Sequence, residues 1–190
     1  MERFRNELTR FIDELYEGEK KVLVHGEGRI GARVTLIGEA PGEQESLQGR
    51  PFVGKAGRNL DHFLELAGLK REEIYITNVV KLRPTKTGRT GRLSNRPPTR
   101  DEVALFRPWL IREIKEIAPR MIATLGNVPL QALTDSRQTI GKAHGRIIPA
   151  GETGLPLFAL YHPASLIYRR ELTGVYERDV LALAGMLDTL

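Results

Sequence analysis

Short apolar segments alternate with amphipathic segments along most of this sequence. Four apolar runs are short, at 33–38, 74–80, 121–126 and 156–160, and a further β-like segment at 146–148 precedes the last of them. Runs of this length, rich in β-branched residues, favour buried strands over helices. Strands that alternate with helices form a parallel sheet with helices on both faces. The pattern predicts an α/β fold in which a mainly parallel sheet lies between two layers of helices.

Helical spacing of apolar residues marks the segments between these strands. A first helix is predicted before Gly18, and another runs up to Gly68, because glycine commonly follows the last helical residue. A final helix from about Val175 is predicted to place four residues against the core, namely Val180, Leu181, Leu183 and Leu187.

Length and charge bound the class of protein. The chain has 190 residues, of which 41% are hydrophobic, so we expect residues 1–190 to form one domain with a substantial core. No apolar stretch is long enough to cross a membrane and the first residues lack the apolar core of a signal peptide, so we expect a monomeric cytoplasmic protein. The net charge of +5 permits a polyanionic partner without requiring one.

Absent residues and motifs exclude several chemistries. The chain has no cysteine, which rules out disulfides, thiolate nucleophiles and cysteine-ligated clusters. Its four histidines are scattered without metal-binding spacing, and no serine-hydrolase GxSxG motif occurs. The glycine-rich segment 25–31 precedes a strand, so we interpret it as a turn and not as a nucleotide-binding loop. We expect neither a metal nor a cofactor.

Two segments combine polar side chains with predicted strand ends. Glu39 and Glu45 lie in a glycine-rich loop directly after the strand 33–38, where open α/β sheets bind ligands. A solvated surface loop would also explain these carboxylates. Asn78 interrupts the apolar strand 74–80, so its amide either bonds neighbouring backbone or points towards a ligand. Residues 81–98 are basic and contain no acidic residue, which fits either a phosphate-contacting arm or a solvated insertion.

Four motifs in this order resemble the uracil-DNA glycosylase superfamily, and its family-four branch most closely. They are GEAPG at 38–42, GRPFVGKAG at 49–57, TNVVK at 77–81 and YHPAS at 161–165. The resemblance implies an enzyme of base excision repair that hydrolyses the N-glycosidic bond of uracil in single- or double-stranded DNA. It implies direct attack by water. It also implies an α/β fold that is a three-layer α/β/α sandwich around a central, mainly parallel four-stranded sheet.

The resemblance also implies roles for individual residues. Glu39 and Glu45 match acidic positions near the attacking water or the sugar, and His162 matches a histidine that contacts the uracil carbonyl. Substrate-binding positions are matched by Ala40, Gly42, Phe52 and Asn78, with the Phe52 ring stacking on uracil and the Asn78 amide reading its edge. This agrees with the chemistry, because glycosidic cleavage leaves positive charge on the sugar and negative charge on the base.

A glycosylase must also extract the base from the stack and hold the backbone. The segment after the histidine motif is predicted to do so, with Leu166 and Ile167 as a wedge and Arg169 and Arg170 on phosphates. Ser165 is predicted to approach the phosphates closely. An amphipathic helix start with Leu166 and Ile167 packed inside is the competing interpretation.

The chain departs from the resembled family at three places. Leu82 and Phe106 stand where many family-four members have cysteines that bind a four-iron four-sulfur cluster, so the cluster cannot form. The segment 82–98 has no histidine, which disfavours the covalent capture of the sugar found in one related branch. Tyr168 stands where relatives commonly have arginine.

Two alternatives remain open at this stage. Other branches of the same superfamily remove hypoxanthine, xanthine or thymine opposite guanine. A non-catalytic nucleic-acid-binding relative is the second, although the joint presence of Glu39, Glu45, Asn78 and His162 speaks against it.

Overall fold

Strands and helices alternate along the chain in the computed structural model, which describes residues 1–17, 19–134 and 137–189. The strands are β1 (Glu27–Gly28), β2 (Val34–Gly38), β3 (Tyr75–Asn78), β4 (Thr85–Thr87), β5 (Leu93–Asn95), β6 (Met121–Leu125), β7 (Ile147–Ala150) and β8 (Leu155–Leu160). The helices are α1 (Glu2–Leu15), α2 (Glu43–Gln48), α3 (Lys55–Leu66), α4 (Arg100–Ile117), α5 (Asn127–Leu133), α6 (Ile140–Ala143), α7 (Ser165–Tyr168) and α8 (Thr173–Thr189).

The central sheet has the strand order β1-β3-β2-β6-β8-β7. Its four middle strands, β3, β2, β6 and β8, are parallel, and they are the four strands that the apolar runs predict. The short strands β1 and β7 add an antiparallel edge on either side, so the sheet has six strands in the described part of the chain. The predicted α/β class and the mainly parallel sheet are confirmed.

Two apolar clusters lie on opposite faces of this sheet. One joins Val34 and Leu36 of β2 to buried residues of α3 and α8, including Phe63 and Tyr176. The other joins Ile37 of β2 to buried residues of α1, α4 and α5. Because neighbouring residues of a strand point to opposite faces, β2 contributes to both clusters and is buried along its whole length. The helices therefore form the two outer layers.

Local details differ from the sequence predictions. The loop after β2 contains the six-residue helix α2, and residues 81–98 contain the two-stranded hairpin β4–β5. Leu181 is 49% exposed and not part of the core, because it lies on the outer face of α8. The predicted helix end at Gly18 lies outside the described residues. None of the described helices combines the length and hydropathy that a membrane crossing requires.

The carboxyl ends of the parallel strands meet at one edge of the sheet. Gly38 ends β2 and pairs in register with Asn78, which ends β3. The segment that contains His162 follows β8 directly. The parallel strands that flank β2 are β3 on one side and β6 on the other, so the order of the parallel strands reverses direction at β2. Such a switch point is where open α/β sheets bind ligands.

Candidate active site

A cavity of about 350 Å³ opens at this edge of the sheet. Its lining includes most of the predicted catalytic and substrate-binding residues, namely Ala40, Gly42, Glu45, Phe52, Asn78 and His162. Its volume is within the range of small-molecule sites. The structure thus brings together residues that are far apart in sequence.

Asn78 provides a buried amide at the end of β3. The residue is 3% exposed, lines the cavity, and its side chain forms no hydrogen bond with any described residue. Its backbone carbonyl accepts a hydrogen bond of 2.6 Å from the Lys81 ammonium. Buried polar groups in proteins are nearly always paired, so the free amide of Asn78 is available for a ligand.

Phe52 lies against Asn78 in an unusual backbone conformation. Its φ of 53° is in the left-handed region, which bulky residues rarely adopt. Two glycines make room for it. A Cβ on Gly38 would lie 2.4 Å from both the Phe52 ring and Asn78 Oδ1, and one on Gly57 would lie 1.9 Å from the Phe52 carbonyl oxygen. Both glycines are therefore needed for the Phe52 ring to reach the cavity.

Side chains from two other segments hold the backbone around Phe52. Glu45 accepts hydrogen bonds from the N–H groups of Gly42 (3.1 Å), Val53 (3.0 Å) and Gly54 (2.7 Å). Arg71 donates to the carbonyl oxygens of Pro51 and Phe52. These bonds offset the cost of the strained φ, which is on the order of 1–3 kcal/mol.

Glu45 borders the cavity, and its carboxylate is occupied by the backbone donors of the loop that it shapes. Sequence reasoning missed Arg71. Nothing in the local sequence indicates its role, because its partners lie about twenty residues earlier in the chain.

His162 faces the Phe52 ring, with centroids 5.8 Å apart and an interplanar angle of 28°. Its Nδ1 accepts a hydrogen bond of 3.1 Å from the Ala164 N–H. Burial lowers the pKa of His162 to about 4, an effect that the Glu45 carboxylate opposes. The imidazole is therefore neutral at pH 7, and since Nδ1 is an acceptor, Nε2 carries the proton. His162 is a neutral hydrogen-bond donor.

Glu39 lies in a second cavity, of about 550 Å³, which adjoins the first. The two cavities share several lining residues, among them His162 and Asn95. Burial raises the pKa of Glu39, and no described residue forms a hydrogen bond with its carboxylate. A carboxylate in this state accepts a proton more readily than a solvated one. Glu39 lines this second cavity and not the first one, which Phe52 and Asn78 line.

A buried polar cluster lies beneath Asn78. Lys81 is 0% exposed and donates to Thr77 Oγ1, the Asn78 carbonyl oxygen and Glu113 Oε2, each at 2.6 Å. Glu113 also accepts from the Tyr75 hydroxyl (2.9 Å) and the Thr77 hydroxyl (3.1 Å). All three donors of Lys81 are used. Sequence reasoning assigned Lys81 to a basic segment and missed Glu113, whose position in α4 gives no local signal.

The predicted DNA-binding residues fall into two groups. Ile167 is exposed and lines the first cavity, and Ser165 lines the second. Arg169 and Arg170 are exposed, with Arg169 paired to Glu171 at 3.1 Å.

The structure disagrees with the prediction for Leu166, which is 7% exposed and packs in the core on the inner face of α7. Tyr168, which is 84% exposed, lines both cavities instead.

The positions of the family's cluster cysteines are filled by apolar packing. Phe106 is 1% exposed in the cluster under α1 and α4, and Leu82 packs against the same cluster. Neither side chain can ligate iron, and the chain has no cysteine elsewhere. These residues do not fit an iron–sulfur cluster.

Comparison with known proteins agrees with this geometry. The profile of the Uracil DNA glycosylase superfamily matches residues 25–183. The type-4 uracil-DNA glycosylase of Saccharolobus solfataricus is 38% identical over 167 residues, which are 84% of this chain and 74% of that protein. The type-4 uracil-DNA glycosylase of Archaeoglobus fulgidus is 38% identical over 162 residues, which are 82% of this chain and 77% of that protein.

A solved structure shares the fold. The crystal structure of Pedobacter heparinus SMUG2 aligns with a TM-score of 0.62 at 15% sequence identity, covering 100% of this chain and 86% of that one. The resemblance that the four motifs carry is therefore confirmed. By sequence profile and by identity to type-4 relatives over most of its length, the chain belongs to the uracil-DNA glycosylase superfamily.

Proposed function

We propose that this protein is a uracil-DNA glycosylase, which hydrolyses the N-glycosidic bond of deoxyuridine in DNA and leaves an abasic site. One observation carries the proposal. The Asn78 amide is almost fully buried, lines a cavity next to Phe52 and His162, and is bonded by no described residue. An unpaired amide in such a place costs free energy unless a ligand pairs with it.

The Asn78 amide fits the edge of uracil. It offers one donor and one acceptor, and uracil offers a carbonyl oxygen beside an N–H group. Cytosine has an amino group in place of that carbonyl and no hydrogen on the neighbouring ring nitrogen, so an amide fixed in the orientation that fits uracil loses both bonds. A site that depends on such bonds can reject the wrong partner by roughly 10⁴-fold. The Phe52 ring supplies the stacking surface that an extruded base requires.

His162 stabilises the leaving group in this proposal. Cleavage places negative charge on the departing base, and the neutral imidazole offers its Nε2–H to the charged oxygen. Because Nδ1 is held by the Ala164 N–H, the ring orientation is fixed before the substrate binds. This arrangement lowers the barrier without requiring a protonated histidine.

Glu39 orients the attacking water. Its carboxylate lines the second cavity, on the side of the cleft where the sugar of a bound nucleotide would lie. The carboxylate also stabilises positive charge that develops on the sugar. The raised pKa of Glu39 suits it to accept the proton of the water as the bond to the sugar forms.

The proposal extends to partner, assembly and location. The substrate is DNA, either single-stranded or double-stranded, and residues 1–190 act as one domain and as a monomer. An enzyme with this substrate works where the DNA is, in agreement with the cytoplasmic location expected from the sequence. Light scattering coupled to gel filtration tests the monomeric state.

Oligonucleotide cleavage tests the proposed reaction. The protein is incubated with labelled single- and double-stranded oligonucleotides that carry one uracil, and alkali then cleaves the strand at abasic sites. Hypoxanthine is the necessary control, because it presents the same carbonyl and N–H pair on a larger ring system. We expect cleavage at uracil. Cleavage only at hypoxanthine would change the assigned base, and binding without cleavage would overturn the enzymatic proposal.

A further inference from the structure

The hairpin β4–β5 exposes positive charge that no described residue of the protein pairs with. The side chains of Lys86, Arg89 and Arg92 are exposed and form no hydrogen bond or ion pair with any described residue. The segment 81–98 that contains them has no acidic residue. Concentrated unpaired charge of one sign raises the free energy of the folded protein, so it indicates a partner of the opposite sign.

The other two arginines of this segment hold the hairpin in place. Arg96 bonds both carboxylate oxygens of Glu102, at 2.6 and 2.7 Å, and donates to the Thr85 carbonyl at 3.0 Å. Arg83 donates to Asn95 Oδ1 at 2.7 Å and to Glu43 at 3.2 Å. The base of the hairpin is therefore tied to α4 and α2, while the cations nearer its tip are free. This division separates residues that position the hairpin from residues that can bind a ligand.

The base of the hairpin is also a wall of the active-site cleft. Pro84, Asn95 and Arg96 line the second cavity together with Glu39 and His162. Asn95 additionally lines the cavity that contains Phe52 and Asn78. In the proposed function the base occupies the first cavity and the sugar lies near Glu39, so a strand that continues from this sugar would leave the cleft beside the hairpin.

We infer that the hairpin β4–β5 is a DNA-binding arm, whose Lys86, Arg89 and Arg92 contact the phosphates of the strand next to the extruded nucleotide. The inference rests on the proposed function, since it assumes that the bound polymer is DNA. Contacts to phosphates carry no sequence information, which suits an enzyme that must find uracil in any context. Each phosphate contact releases counterions, which makes the binding sensitive to salt.

The salt dependence of DNA binding tests the inference. The probe is a fluorescent oligonucleotide without uracil, and anisotropy gives its affinity for the full-length protein from low to moderate salt. The variant K86Q/R89Q/R92Q removes the three free cations. We expect the slope of log affinity against log salt to become shallower by about 2 to 3, at 0.7–0.9 per lost contact. The control R10Q/K115Q/R178Q removes equally exposed charges from α1, α4 and α8, outside both cavities.

The outcomes separate this inference from the proposed function. An unchanged salt slope in the hairpin variant, or an equal decrease of the slope in the control variant, would contradict the inference that the hairpin binds DNA. Neither result would contradict the proposed glycosylase function. A wild-type slope in the variant K86R/R89K/R92K would support the inference, because this variant keeps the three charges and changes only the side-chain geometry. If the wild-type protein bound no DNA at any salt concentration, the proposed function itself would fail.

Discussion

Lysine has opposite roles in the hairpin β4–β5 and in the floor of the active-site pocket. We call the buried polar cluster of Tyr75, Thr77, Lys81 and Glu113 beneath Asn78 the floor. Lys81, in the floor, is 0% exposed, and its three donors are all bonded within the protein. Lys86, in the hairpin, is exposed and its side chain bonds no described residue. The ammonium group of Lys81 therefore stabilises the fold, whereas that of Lys86 is available to a ligand. In our proposals the pocket recognises the base, and the hairpin contacts the DNA backbone through its charge.

Replacement of Lys81 should produce the largest change in stability. K81M leaves the Glu113 carboxylate buried without its ion-pair partner, and breaking a buried pair in this way costs about 3–5 kcal/mol. Urea unfolding measures the loss. The matched substitution K86M removes an exposed charge and should change the free energy of unfolding by less than about 0.5 kcal/mol. Equal stabilities of K81M and K86M would contradict the claim that Lys81 stabilises the fold and Lys86 does not.

Replacement of His162 should give the largest change in catalysis. H162A removes the donor to the departing base, and loss of one such donor lowers kcat by about 10²- to 10³-fold. Single-turnover excision of uracil measures the rate, and anisotropy with uracil-free DNA measures binding. Binding should change little, because in the proposed function His162 contacts the base and not the backbone. Equal losses in rate and affinity would show that His162 positions DNA.

Replacement of Glu39 by glutamine should raise the stability of the protein and lower its activity. Because its pKa is raised in the folded state, the fold loses stability as pH rises from the ordinary pKa of glutamate to that raised value. E39Q should therefore be more stable than the wild type at pH 8, with the difference vanishing below the ordinary pKa of glutamate. The same variant should lose about 10²- to 10⁴-fold in kcat.

The pH profile of activity gives an independent check on Glu39. In the wild type, kcat/KM should fall on the acid side at a pH above the ordinary value of 4.5, as Glu39 becomes protonated. In E39Q this limb should disappear, leaving the ionisation of His162 near pH 4. A profile identical in both proteins would argue that Glu39 is not the ionising group.

The smallest effect is expected from K86M on DNA binding. Loss of one phosphate contact should make the salt slope shallower by about 0.7–0.9, with uracil excision at low salt little changed. Anisotropy titrations at several salt concentrations measure this slope. A slope that stays at the wild-type value would place Lys86 outside the DNA contact.

Sequence reasoning predicted the strands and the motif residues because their signals are local. The apolar runs mark β2, β3, β6 and β8, and the polar residues at their ends, such as Asn78, then meet at one edge of the sheet. The helix α2 was missed because six residues, four of which are glutamate or glutamine, form no apolar periodicity. The hairpin was missed because its exposed strands show no alternation of polar and apolar residues.

Residues that act through distant partners could not be predicted in the same way. Arg71 holds the backbone of Phe52, and Glu113 bonds Lys81 from another element, so only the fold brings them together. Leu166 lies in a helix of four residues, which is too short for its buried face to show in the sequence. For Glu45 the motif gives the position, but the backbone donors that occupy its carboxylate appear only in three dimensions.

Discrimination between uracil and cytosine at Asn78 tests the central claim most directly. Excision is measured on otherwise identical single-stranded oligonucleotides that carry uracil or cytosine at one position, with the wild type and N78D. The wild type should prefer uracil by at least about 10⁴-fold. N78D keeps the shape but loses the amide donor, so it should lose this preference or all activity. Wild-type rates and preference in N78D would contradict the claim that this amide reads the base.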